Sequence, residues 1–508
     1  MSDASVAEAL RSTAQLVVVE APGGCGKTYQ GANYARDIAP TLGDGRLLVL
    51  THTNAACDVF AAKTRNLGRC VEIRTIDGLI TEIASAYHKA LELPADVGAW
   101  ARRDTGNYNV LAQKAAALIT ANPMIASTLA RRYPVVICDE HQDASLSQHA
   151  IIMALHAAGT RLRVFADPMQ QIFNGNQAEE VAAAQRWADL KAAADRFEEL
   201  DQPHRWANTQ PALGAWILDA RATLKEAGRI DLTANLPAGL TVHYADNTAQ
   251  QHGSFSVHQD FSAPIYARSN AQGQLLVLSG RNRTVTALRT FFGRRIPIWE
   301  GHVRNGLTRL VAHTNTHRGN ATELARGTVA FMRAVATGFS ASAFGNRFIA
   351  EAQNGCTANC TGKPLLLQSM ARHLVDDPSH KGVARAIARL QELVANEQAF
   401  SGVRVHHPRE FAEAIQLSGY DNVDDGLAEM ARHRTHARPK LPGKAISTIH
   451  KAKGLEFDNV MLLPCDQSSF GNTARARAKL YVAISRATSS LMLVVSKGQP
   501  SPLFKIEA

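Results

Sequence analysis

The sequence lacks a long apolar segment, and its cysteines form no regular set. No run of about 18 apolar residues occurs, so we expect no transmembrane helix and no contact with a membrane. The N-terminal stretch MSDASVAEALRST lacks the basic and then apolar layout of a secretory signal peptide. The seven cysteines are scattered and odd in number, which indicates reduced thiols rather than a disulfide framework. We therefore expect a cytoplasmic protein.

The chain also has no internal repeat and no low-complexity tract. Hydrophobic residues make up 45% of its 508 residues, which is enough to build large cores and argues against general disorder. This length suits about two to four domains. The net charge of +10 favours a polyanionic partner, nucleic acid first, although charge alone is a weak signal.

A glycine-rich segment follows the first strongly apolar run of the chain. It reads APGGCGKT, and a helical pattern comes after it. A strand, a glycine-rich loop ending in Lys-Thr and a helix together indicate a P-loop. Lys27 can reach the β- and γ-phosphates of a nucleotide, and the Thr28 hydroxyl can hold Mg²⁺. A plain glycine-rich turn is the alternative interpretation, and the exact Gly-Lys-Thr ending argues against it.

The glycines explain how this loop would bind phosphate. Residues without a Cβ let backbone N–H groups curl around phosphate oxygens, and the following helix points the positive end of its dipole at the same anion. The nucleotide-binding residues expected in the loop are Gly23, Gly24, Cys25, Gly26, Lys27, Thr28 and Tyr29.

A second apolar run, VVIC, leads directly into the acidic stretch DEHQD. By itself this stretch is equally well interpreted as a solvated turn. Next to a P-loop it gains a function, because Asp139 can hold the same Mg²⁺ through water and Glu140 can polarise an attacking water molecule. The sequence therefore predicts a metal ligand beside a general base.

Later stretches repeat the order of apolar strand, polar turn and helix, which is typical of α/β units with parallel sheets. These stretches are LLVLTHTNAACDVF, IRTIDGLI, RVFADPMQQIF, ELDQPHRW, QLLVLSGRNRTVTAL, AISTIHKAKGLEFDNVMLLP and KLYVAISRATSSLMLVV.

Taken in order, the segments resemble the motifs of the UvrD/Rep-like helicases of superfamily 1. The P-loop resembles motif I, THTNAA motif Ia, DEHQD motif II, ADPMQQIF motif III, QPHR motif IV, STIHKAKGLEF motif V and LYVAISRA motif VI. The resemblance extends over about residues 15–495. The DExQD and KGLEF forms favour this family over AAA+ ATPases and the DEAD-box group.

The resemblance implies an α/β fold of two RecA-like P-loop motor domains with parallel sheets, each interrupted by a mainly helical accessory insertion. It also implies ATP in the cleft between the motor domains and single-stranded DNA across the top. Gln170 would sense the γ-phosphate, and Arg205 and Arg486 would clasp it from the opposite side of the cleft. A surface arginine is the alternative interpretation of each of these two. The catalytic residues expected are Lys27, Asp139, Glu140, Gln170, Arg205 and Arg486.

Further residues are assigned by the same resemblance. Glu456 and Gly454, in the KGLEF turn, would bind the nucleotide at the ribose, and His204 would stack on adenine or is simply a surface histidine. Phe173 would stack on DNA bases, with a core aromatic as the alternative. The expected DNA-binding residues are His52, Thr53, Asn54, Thr75, Phe173 and His450.

Four positions depart from the family pattern. Gln15 is the only glutamine upstream of the P-loop, and it lies too near the strand to read adenine securely. His204 stands where the family usually has tyrosine, and His52 where many members have phenylalanine. Gly175 occupies a position that is often tryptophan. These departures predict weaker stacking on DNA and leave the strictness for ATP open.

The helical patterning predicts the domain organisation. The first motor domain is expected at residues 1–80 and 133–210, with a short insertion at 81–132. The second is expected at 211–333 and 441–508, with an insertion at 334–440. That insertion ends in ARHRTHARPKLPGK, a basic run that either contacts DNA phosphates or is a solvated linker.

Two residue pairs have spacings that suit a metal. Cys356 and Cys360 lie four positions apart, and so do His313 and His317, so either pair could face one side of a helix. Two cysteines do not complete a zinc or iron–sulfur site, and GCTANCTG resembles a loop more than a helix. No carboxylate-and-lysine cluster of a nuclease domain occurs.

The sequence thus predicts a DNA-dependent ATPase that translocates on single-stranded DNA and unwinds duplex DNA, with 3′→5′ polarity implied by the resemblance. Its expected cofactors are ATP and Mg²⁺, and its expected partners are single-stranded and tailed duplex DNA. The alternative is a nucleotide-gated DNA-binding subunit that regulates a partner nuclease. Compact UvrD-like proteins occur beside nucleases in DNA repair and in anti-phage systems such as Gabija. Full helicase activity is expected to require either a nuclease partner or self-association of the chain.

Overall fold

A computed structural model describes residues 2–103, 105–173, 177–233, 235–245, 249–251, 254–299, 305–424, 426–427 and 442–506. The chain forms two compact units. The first comprises Met1–Val97, Tyr108–Trp299 and Lys440–Ala508. The second comprises Gly98–Asn107 and Glu300–Pro439.

The strands occur throughout the chain and are mostly short. They are β1 (Leu16–Glu20), β2 (Leu47–Thr51), β3 (Val71–Thr75), β4 (Val135–Cys138), β5 (Arg161–Ala166), β6 (Arg196–Glu199), β7 (Ile230–Asp231), β8 (Leu240–Ala245), β9 (Ala249–Gln251), β10 (Ser254–Ser256), β11 (Leu275–Ser279), β12 (Ala336–Thr337), β13 (Arg404–Val405), β14 (Lys444–Thr448), β15 (Phe457–Cys465), β16 (Ala487–Ser496) and β17 (Phe504–Lys505).

The α-helices connect these strands and build the second unit. They are α1 (Ser2–Arg11), α2 (Lys27–Ile38), α3 (Asn54–Thr64), α4 (Ile76–Ala86), α5 (Val97–Arg103), α6 (Thr105–Ala121), α7 (Pro123–Arg132), α8 (Leu146–Ala157), α9 (Gln177–Ala193), α10 (Pro211–Lys225), α11 (Gln259–Asn270), α12 (Asn282–Phe291), α13 (Asn305–Thr316), α14 (Ala321–Val335), α15 (Asn346–Gln353), α16 (Gly362–Asp376), α17 (His380–Asn396), α18 (Pro408–Gln416), α19 (Ile449–Ala452) and α20 (Ala474–Ile484).

Two parallel sheets organise the first unit. One has the strand order β3-β2-β4-β5-β1-β6, and the other has the order β14-β11-β15-β16-β8. The central strands are buried over their whole length, as parallel strands covered by helices on both faces must be. This arrangement confirms the predicted α/β class and is that of two RecA-like domains with helical insertions.

The order of strands brings the predicted motifs to one edge of each sheet. In the first sheet β1 lies beside β5, and β4 lies between β5 and β2. The loops after parallel strands all leave from the carboxyl edge, so the P-loop, the DEHQD stretch and the ADPMQQ stretch become neighbours. Ligands bind at this edge in open α/β sheets.

Short polar side chains determine where the helices after these loops begin. In each case a serine or threonine oxygen accepts a backbone N–H from the first turn of the helix, which satisfies one of its free donors. The capping residues are Thr53, Thr75, Ser145, Thr448 and Thr473. Ser145 and Gln148 form a complete capping box.

The second unit is mainly helical and has its own apolar core. Helices α13 to α18 contribute buried side chains to this core, among them Leu307, Phe331, Met370 and Leu390. The short strands β12 and β13 pair antiparallel. No helix in the described part of the chain combines the length and the apolar composition needed to span a membrane.

The division between the motor domain and its second insertion differs from the predicted boundary. The sequence placed residues 305–333 in the second motor domain, whereas the compact helical unit includes them. The reason is that α13 and α14 bury their apolar faces in the helical core, through Leu310, Val311, Leu324 and Met332. The first insertion is helical as expected, but its α4 already begins at Ile76 and only residues 98–107 cluster with the second unit.

Candidate functional site

The P-loop adopts a conformation that requires glycine at two positions. Gly24 and Gly26 have φ values of +90° and +87°, in the left-handed region. A Cβ on Gly24 would lie 2.6 Å from the Trp206 ring, and one on Gly26 would lie 3.1 Å from the His204 ring. The loop is therefore covered by the QPHR segment that follows β6. The Trp206 ring therefore leaves no room for a side chain at Gly24.

Lys27 lies at the start of α2 and faces the two predicted acids. Its Nζ is 3.7 Å from Asp139 Oδ1 and forms an ion pair with Glu140. The Lys27 side chain is only 16% exposed. Burial lowers the pKa of Lys27, and the Asp139 carboxylate opposes that shift. The ammonium of the P-loop lysine is therefore neutralised by the two acids that the sequence predicted beside it.

Asp139 offers an acceptor that the protein leaves open. Its Oδ1 is buried and accepts no hydrogen bond from any residue in the described ranges. Apart from the ion pair with Lys27 at 3.7 Å, this oxygen has no hydrogen bond in those ranges, and buried acceptors without one are rare in native proteins and require an explanation. A water molecule bound to Mg²⁺ would satisfy this oxygen, and Thr28, the second residue of α2, supplies the hydroxyl that such a site uses. The residues present fit a magnesium ion.

Glu140 has a strained backbone and a fixed side chain. Its φ of 54° and ψ of 38° lie in the left-handed region, which is uncommon for any residue other than glycine. The amide of Gln142 donates a hydrogen bond to Glu140 Oε2 at 2.5 Å. The same amide group accepts the Asp167 N–H at 3.0 Å through its oxygen. Gln142 therefore connects the DEHQD stretch to the ADPMQQ stretch.

Side chains from the elements that pack around the second sheet also lie against the P-loop. The Gly23 N–H donates a hydrogen bond to the Tyr481 hydroxyl oxygen at 2.8 Å. A Cβ on Gly23 would lie 3.0 Å from the Gln170 amide and 3.6 Å from the Arg486 guanidinium. Tyr481 and Arg486 belong to α20 and the turn after it. The structure thus brings Gln170 and Arg486 together at the phosphate loop.

Arg486 is buried and Arg205 is largely enclosed, so neither is an ordinary surface arginine. Arg205 is 14% exposed, donates to the Ser485 carbonyl at 2.8 Å and pairs with Glu456 at 2.5 Å. Arg486 donates to the Val482 carbonyl at 2.9 Å. Burial, with the nearby Arg205 as a smaller contribution, lowers the pKa of Arg486 to about 10. Two cations this close and this poorly solvated favour an anion between them.

Three residues at the nucleotide end of the site have distinct surroundings. His204 is half exposed and its Nε2 lies 2.6 Å from Asp3 Oδ2, a partner that the sequence did not predict. Tyr29 is 57% exposed, so it lies outside the core. Cys25 is buried, and burial raises the pKa of its thiol to about 12, which makes it an inert packing residue.

The KGLEF turn and the upstream glutamine are held in place by different kinds of contact. Gly454 has a φ of +82°, which a tight turn before β15 requires. Glu456 is half exposed and is held by Arg205. Gln15 uses its backbone at the start of β1, where its carbonyl accepts the Leu162 N–H at 2.7 Å.

A buried ion-pair network escaped the sequence analysis. Arg221 on α10 donates to Asp167 Oδ1 at 2.8 Å and to Glu20 Oε1 at 2.6 Å. These acids raise the pKa of Arg221, against the effect of burial. Lys225 also pairs with Glu20. The only sequence signal was an acid at the end of each of two apolar strands, with no indication of which cation would reach them.

Lys453 was also missed, although the KGLEF segment was recognised. Its Nζ donates to both oxygens of Asp143, at 2.7 and 2.5 Å, and to the Gln170 carbonyl at 2.8 Å. Burial lowers the pKa of Lys453, and Asp143 opposes the shift. The Asp of the first sheet and the Lys of the second thus join the two sheets beside Gln170.

The predicted DNA-binding residues fall into two groups. Thr53 and Thr75 use their hydroxyl oxygens as helix caps, while Asn54 is the exposed first residue of α3. His52 is largely enclosed, and burial lowers its pKa. These four residues lie at the carboxyl ends of β2 and β3.

Phe173 and His450 form the second group. Phe173 is 57% exposed, so it is no core aromatic. Its ring lies 6.0 Å from the His450 ring and 5.1 Å from Lys453 Nζ. Burial lowers the pKa of His450 to about 4, and its Nε2 lies 3.1 Å from the Ile172 carbonyl. Gly175 lies outside the described residues.

The fold and the loop together define a class of protein: an α/β protein with two parallel sheets that meet at a P-loop. Comparison with known families is more specific. Residues 100–184 match the UvrD/REP helicase N-terminal domain, and residues 445–494 match the UvrD-like helicase C-terminal domain. These two segments are therefore similar to UvrD/REP-like domains of helicase superfamily 1.

Individual relatives are distant. DNA helicase II of Salmonella typhimurium and DNA helicase II of Escherichia coli are each 25% identical to this chain over 153 residues. Each match covers 26% of this chain and 21% of the relative, so the chain is aligned to about a fifth of those proteins. Neither match concerns a nuclease partner or an anti-phage system.

Proposed function

We propose that this protein is an ATP-driven motor that translocates on single-stranded DNA with 3′→5′ polarity and unwinds duplex DNA. The observation that carries the proposal is the cluster around the P-loop. Lys27 and the two acids come from one sheet, while Tyr481 and Arg486 reach the same loop from elements of the other. A site shared by two sheets suits a motor, because nucleotide binding and release would change the contacts between them.

Each residue of the cluster would have a distinct role in ATP hydrolysis. Lys27 would bind the β- and γ-phosphates, and Thr28 and Asp139 would hold Mg²⁺. The ion, when bound, neutralises charge on the phosphate oxygens. Glu140 would orient the attacking water and accept its proton, and Arg205 and Arg486 would stabilise charge on the phosphoryl oxygens in the transition state.

The contacts in the structure indicate which ion pairs nucleotide binding would have to replace. Lys27 pairs with Glu140, and Arg205 pairs with Glu456. Phosphate would compete for both cations, which would release the two glutamates. Glu140 would then be free to face water, and Glu456 would be free to bind the ribose.

The proposed DNA site rests on different observations. Phe173 is an exposed aromatic beside His450 and Lys453, at the junction of the two sheets. Base–aromatic stacking of this kind is sequence-tolerant. The net charge of +10 supports a polyanionic substrate. The relatives are DNA helicases by name, which is why DNA is preferred here to RNA.

The direct test is an ATPase assay with single-stranded oligonucleotides at low salt. We expect DNA to stimulate turnover and Phe173→Ala to raise the DNA concentration needed for half-maximal stimulation by about 5-fold to 150-fold, since one base stack contributes about 1–3 kcal/mol. Leu365→Ala is the matched control, because it truncates an exposed apolar side chain of the helical unit. It should leave that concentration unchanged.

Salt provides a second readout of the same proposal. Each phosphate contact on a single strand contributes about −0.7 to the slope of log K against log salt concentration. A steep negative slope is expected from a chain with this excess of cations. A turnover rate that ignores DNA at low salt would contradict the motor and favour the alternative, a nucleotide-gated DNA-binding subunit that regulates a partner nuclease.

A further inference from the structure

The helical unit contains a cluster of metal-binding side chains far along the chain from the P-loop motif. His313 lies in the last turn of α13, His317 lies directly after that helix, and Glu323 lies in the first turn of α14. One ligand atom from each residue lies within 4.8 Å of the other two. The two imidazole rings are 4.3 Å apart, centre to centre.

The surroundings of His313 determine which of its nitrogens is available. Its Nε2 lies 2.7 Å from the backbone carbonyl of Glu323, so this nitrogen carries the proton and donates it. Nδ1 is then left with a free lone pair. A metal-binding histidine typically donates its other N–H to a carbonyl or carboxylate, which fixes the ring. A Cβ on Gly327 would overlap the His313 ring, so α14 holds that ring in place.

The turn between the two helices is also fixed. Asn320 accepts the Glu323 N–H at 3.1 Å through its side-chain oxygen and caps α14. Its own N–H donates to the His317 carbonyl at 3.0 Å, and the Gly319 N–H donates to the Pro378 carbonyl at 2.8 Å. The backbone on both sides of the cluster is therefore ordered before any ligand binds, which lowers the entropic cost of binding.

We propose that His313, His317 and Glu323 form a binding site for a divalent transition-metal ion of the Zn²⁺ type. Two imidazole nitrogens and one carboxylate oxygen suit such an ion and do not suit Mg²⁺, which prefers an all-oxygen shell. Three protein ligands leave a fourth position for water. The ion would connect the end of α13 to the start of α14 and stabilise the helical unit.

Nearby groups do not replace this ligand set. Arg326 pairs with Glu323 Oε1 at 3.2 Å, a contact one turn along an exposed helix that a metal ion can displace. The cysteines with the same four-residue spacing lie in the loop after α15 rather than on a helix. Cys356 donates to the Glu351 and Gln368 carbonyls, and burial raises the pKa of its thiol, so it does not readily form a thiolate.

The test uses the full chain after treatment with a chelator. Zn²⁺ is titrated by calorimetry in the presence of excess Mg²⁺, which occupies the carboxylates near the P-loop. We expect one equivalent of Zn²⁺ to bind. His317→Ala and Glu323→Gln should each weaken Zn²⁺ binding at least about tenfold. Each removes a direct ligand, and losing even a residue that only hydrogen-bonds to a ligand typically weakens metal binding by about 10–100-fold. Glu323→Gln keeps the side-chain size and therefore keeps the fold.

A matched control shows whether the histidines or the cysteines bind the Zn²⁺ ion. Cys360→Ser leaves all three proposed ligands in place and should bind Zn²⁺ as the unsubstituted chain does. Zn²⁺ should also raise the melting temperature of the unsubstituted chain, and this increase should disappear in the double variant His317→Ala/Glu323→Gln. The proposal is overturned if the unsubstituted chain binds no Zn²⁺, if the double variant binds it equally well, or if Cys360→Ser abolishes binding.

Discussion

Glu140 combines a charged side chain with a backbone conformation that L-residues avoid. Its φ of 54° places it in the left-handed region at the end of β4, next to the buried Asp139. Conformations of this kind cost about 1–3 kcal/mol and persist where the surrounding structure imposes them. Here the turn aims Glu140 at Lys27 while Asp139 stays buried. The strain is a reason to test Glu140 as a functional group.

We predict that Glu140→Gln abolishes most ATP turnover and retains nucleotide binding. The substitution keeps the shape of the side chain and its contact with Gln142 but removes the proton acceptor, which typically contributes about 10²–10⁴-fold to a rate. It also removes the ion pair that occupies Lys27, so ATP binding should be unchanged or tighter. Turnover is measured by phosphate release, and binding by titration with a fluorescent ATP analogue.

Glu199→Gln is the control for that measurement, because Glu199 is an exposed acid at the end of β6. It should change neither quantity. Turnover in Glu140→Gln equal to that of the unsubstituted protein would show that Glu140 is not the base, and lost nucleotide binding would show that its role is structural.

His141, the next residue, predicts how stability depends on pH. Burial, with His149 nearby, lowers the pKa of His141 to about 3. Below pH 6.5 the unfolded chain takes up a proton at this position, but the folded chain does not until about pH 3. Protons therefore favour unfolding over that range, and this one group reduces the free energy of unfolding by about 1.4 kcal/mol for each pH unit below 6.5.

We therefore expect His141→Asn to flatten the acid side of the stability profile. The urea midpoint, followed by tryptophan fluorescence, should fall less between pH 6.5 and pH 5 in the variant than in the unsubstituted protein. His258→Asn, at a half-exposed histidine, should leave the profile as it is. Parallel profiles for His141→Asn and the unsubstituted chain would exclude this explanation.

At the level of elements, one ion pair joins the DEHQD turn of the first sheet to the KGLEF turn of the second. Lys453 and Asp143 are both nearly buried, with side chains 10% and 12% exposed. The same ammonium also holds the Gln170 carbonyl. A contact between two turns that flank the nucleotide site is well placed to transmit a change in one sheet to the other.

A double-mutant cycle tests this contact. Lys453→Met leaves a buried carboxylate without its partner, and we expect a loss of about 3–5 kcal/mol in the free energy of unfolding. Adding Asp143→Asn removes the uncompensated charge, so the double variant should recover much of that loss. Stability is measured by urea denaturation. Additive effects of the two substitutions would show that the pair is not coupled in the folded protein.

At the level of the whole molecule, the insertion into the first motor domain is small. It consists of helices α5, α6 and α7 with the second half of α4. In the UvrD/Rep-like helicases that the sequence resembles, accessory domains engage the duplex ahead of the motor. Phe173 is exposed for stacking, whereas His52 is largely enclosed. Under the proposed function, this combination favours stepping along a single strand over separation of two strands.

We predict that the isolated chain translocates on single-stranded DNA but unwinds long duplexes poorly. Separation must offset about 1.4 kcal/mol of stacking and pairing for each base-pair step. The measurement is strand displacement from 3′-tailed duplexes of increasing length, compared with displacement of a protein block from a single strand as the control for stepping. Processive unwinding by a demonstrated monomer would contradict the prediction. A nuclease partner or self-association would then not be required.

Much of the fold was predictable from the sequence because its signals are local. A buried strand that ends in a Gly-Lys-Thr loop needs only adjacent residues to be recognised. The same holds for the acids after VVIC and for the strand–turn–helix order, and both parallel sheets are as expected. Parallel strands also place their carboxyl-end loops together, so the proximity of Lys27 to Asp139 and Glu140 follows from topology.

Tertiary structure decided the contacts between residues that are distant in the chain. Tyr481 meets Gly23 across 458 positions, and Arg221 meets Glu20 across 201. No local pattern specifies which buried cation reaches which acid. The start of the helical unit was decided in the same way, because α13 and α14 bury their apolar faces in the helical core. The turn between these two helices brings Glu323 to His313 and His317.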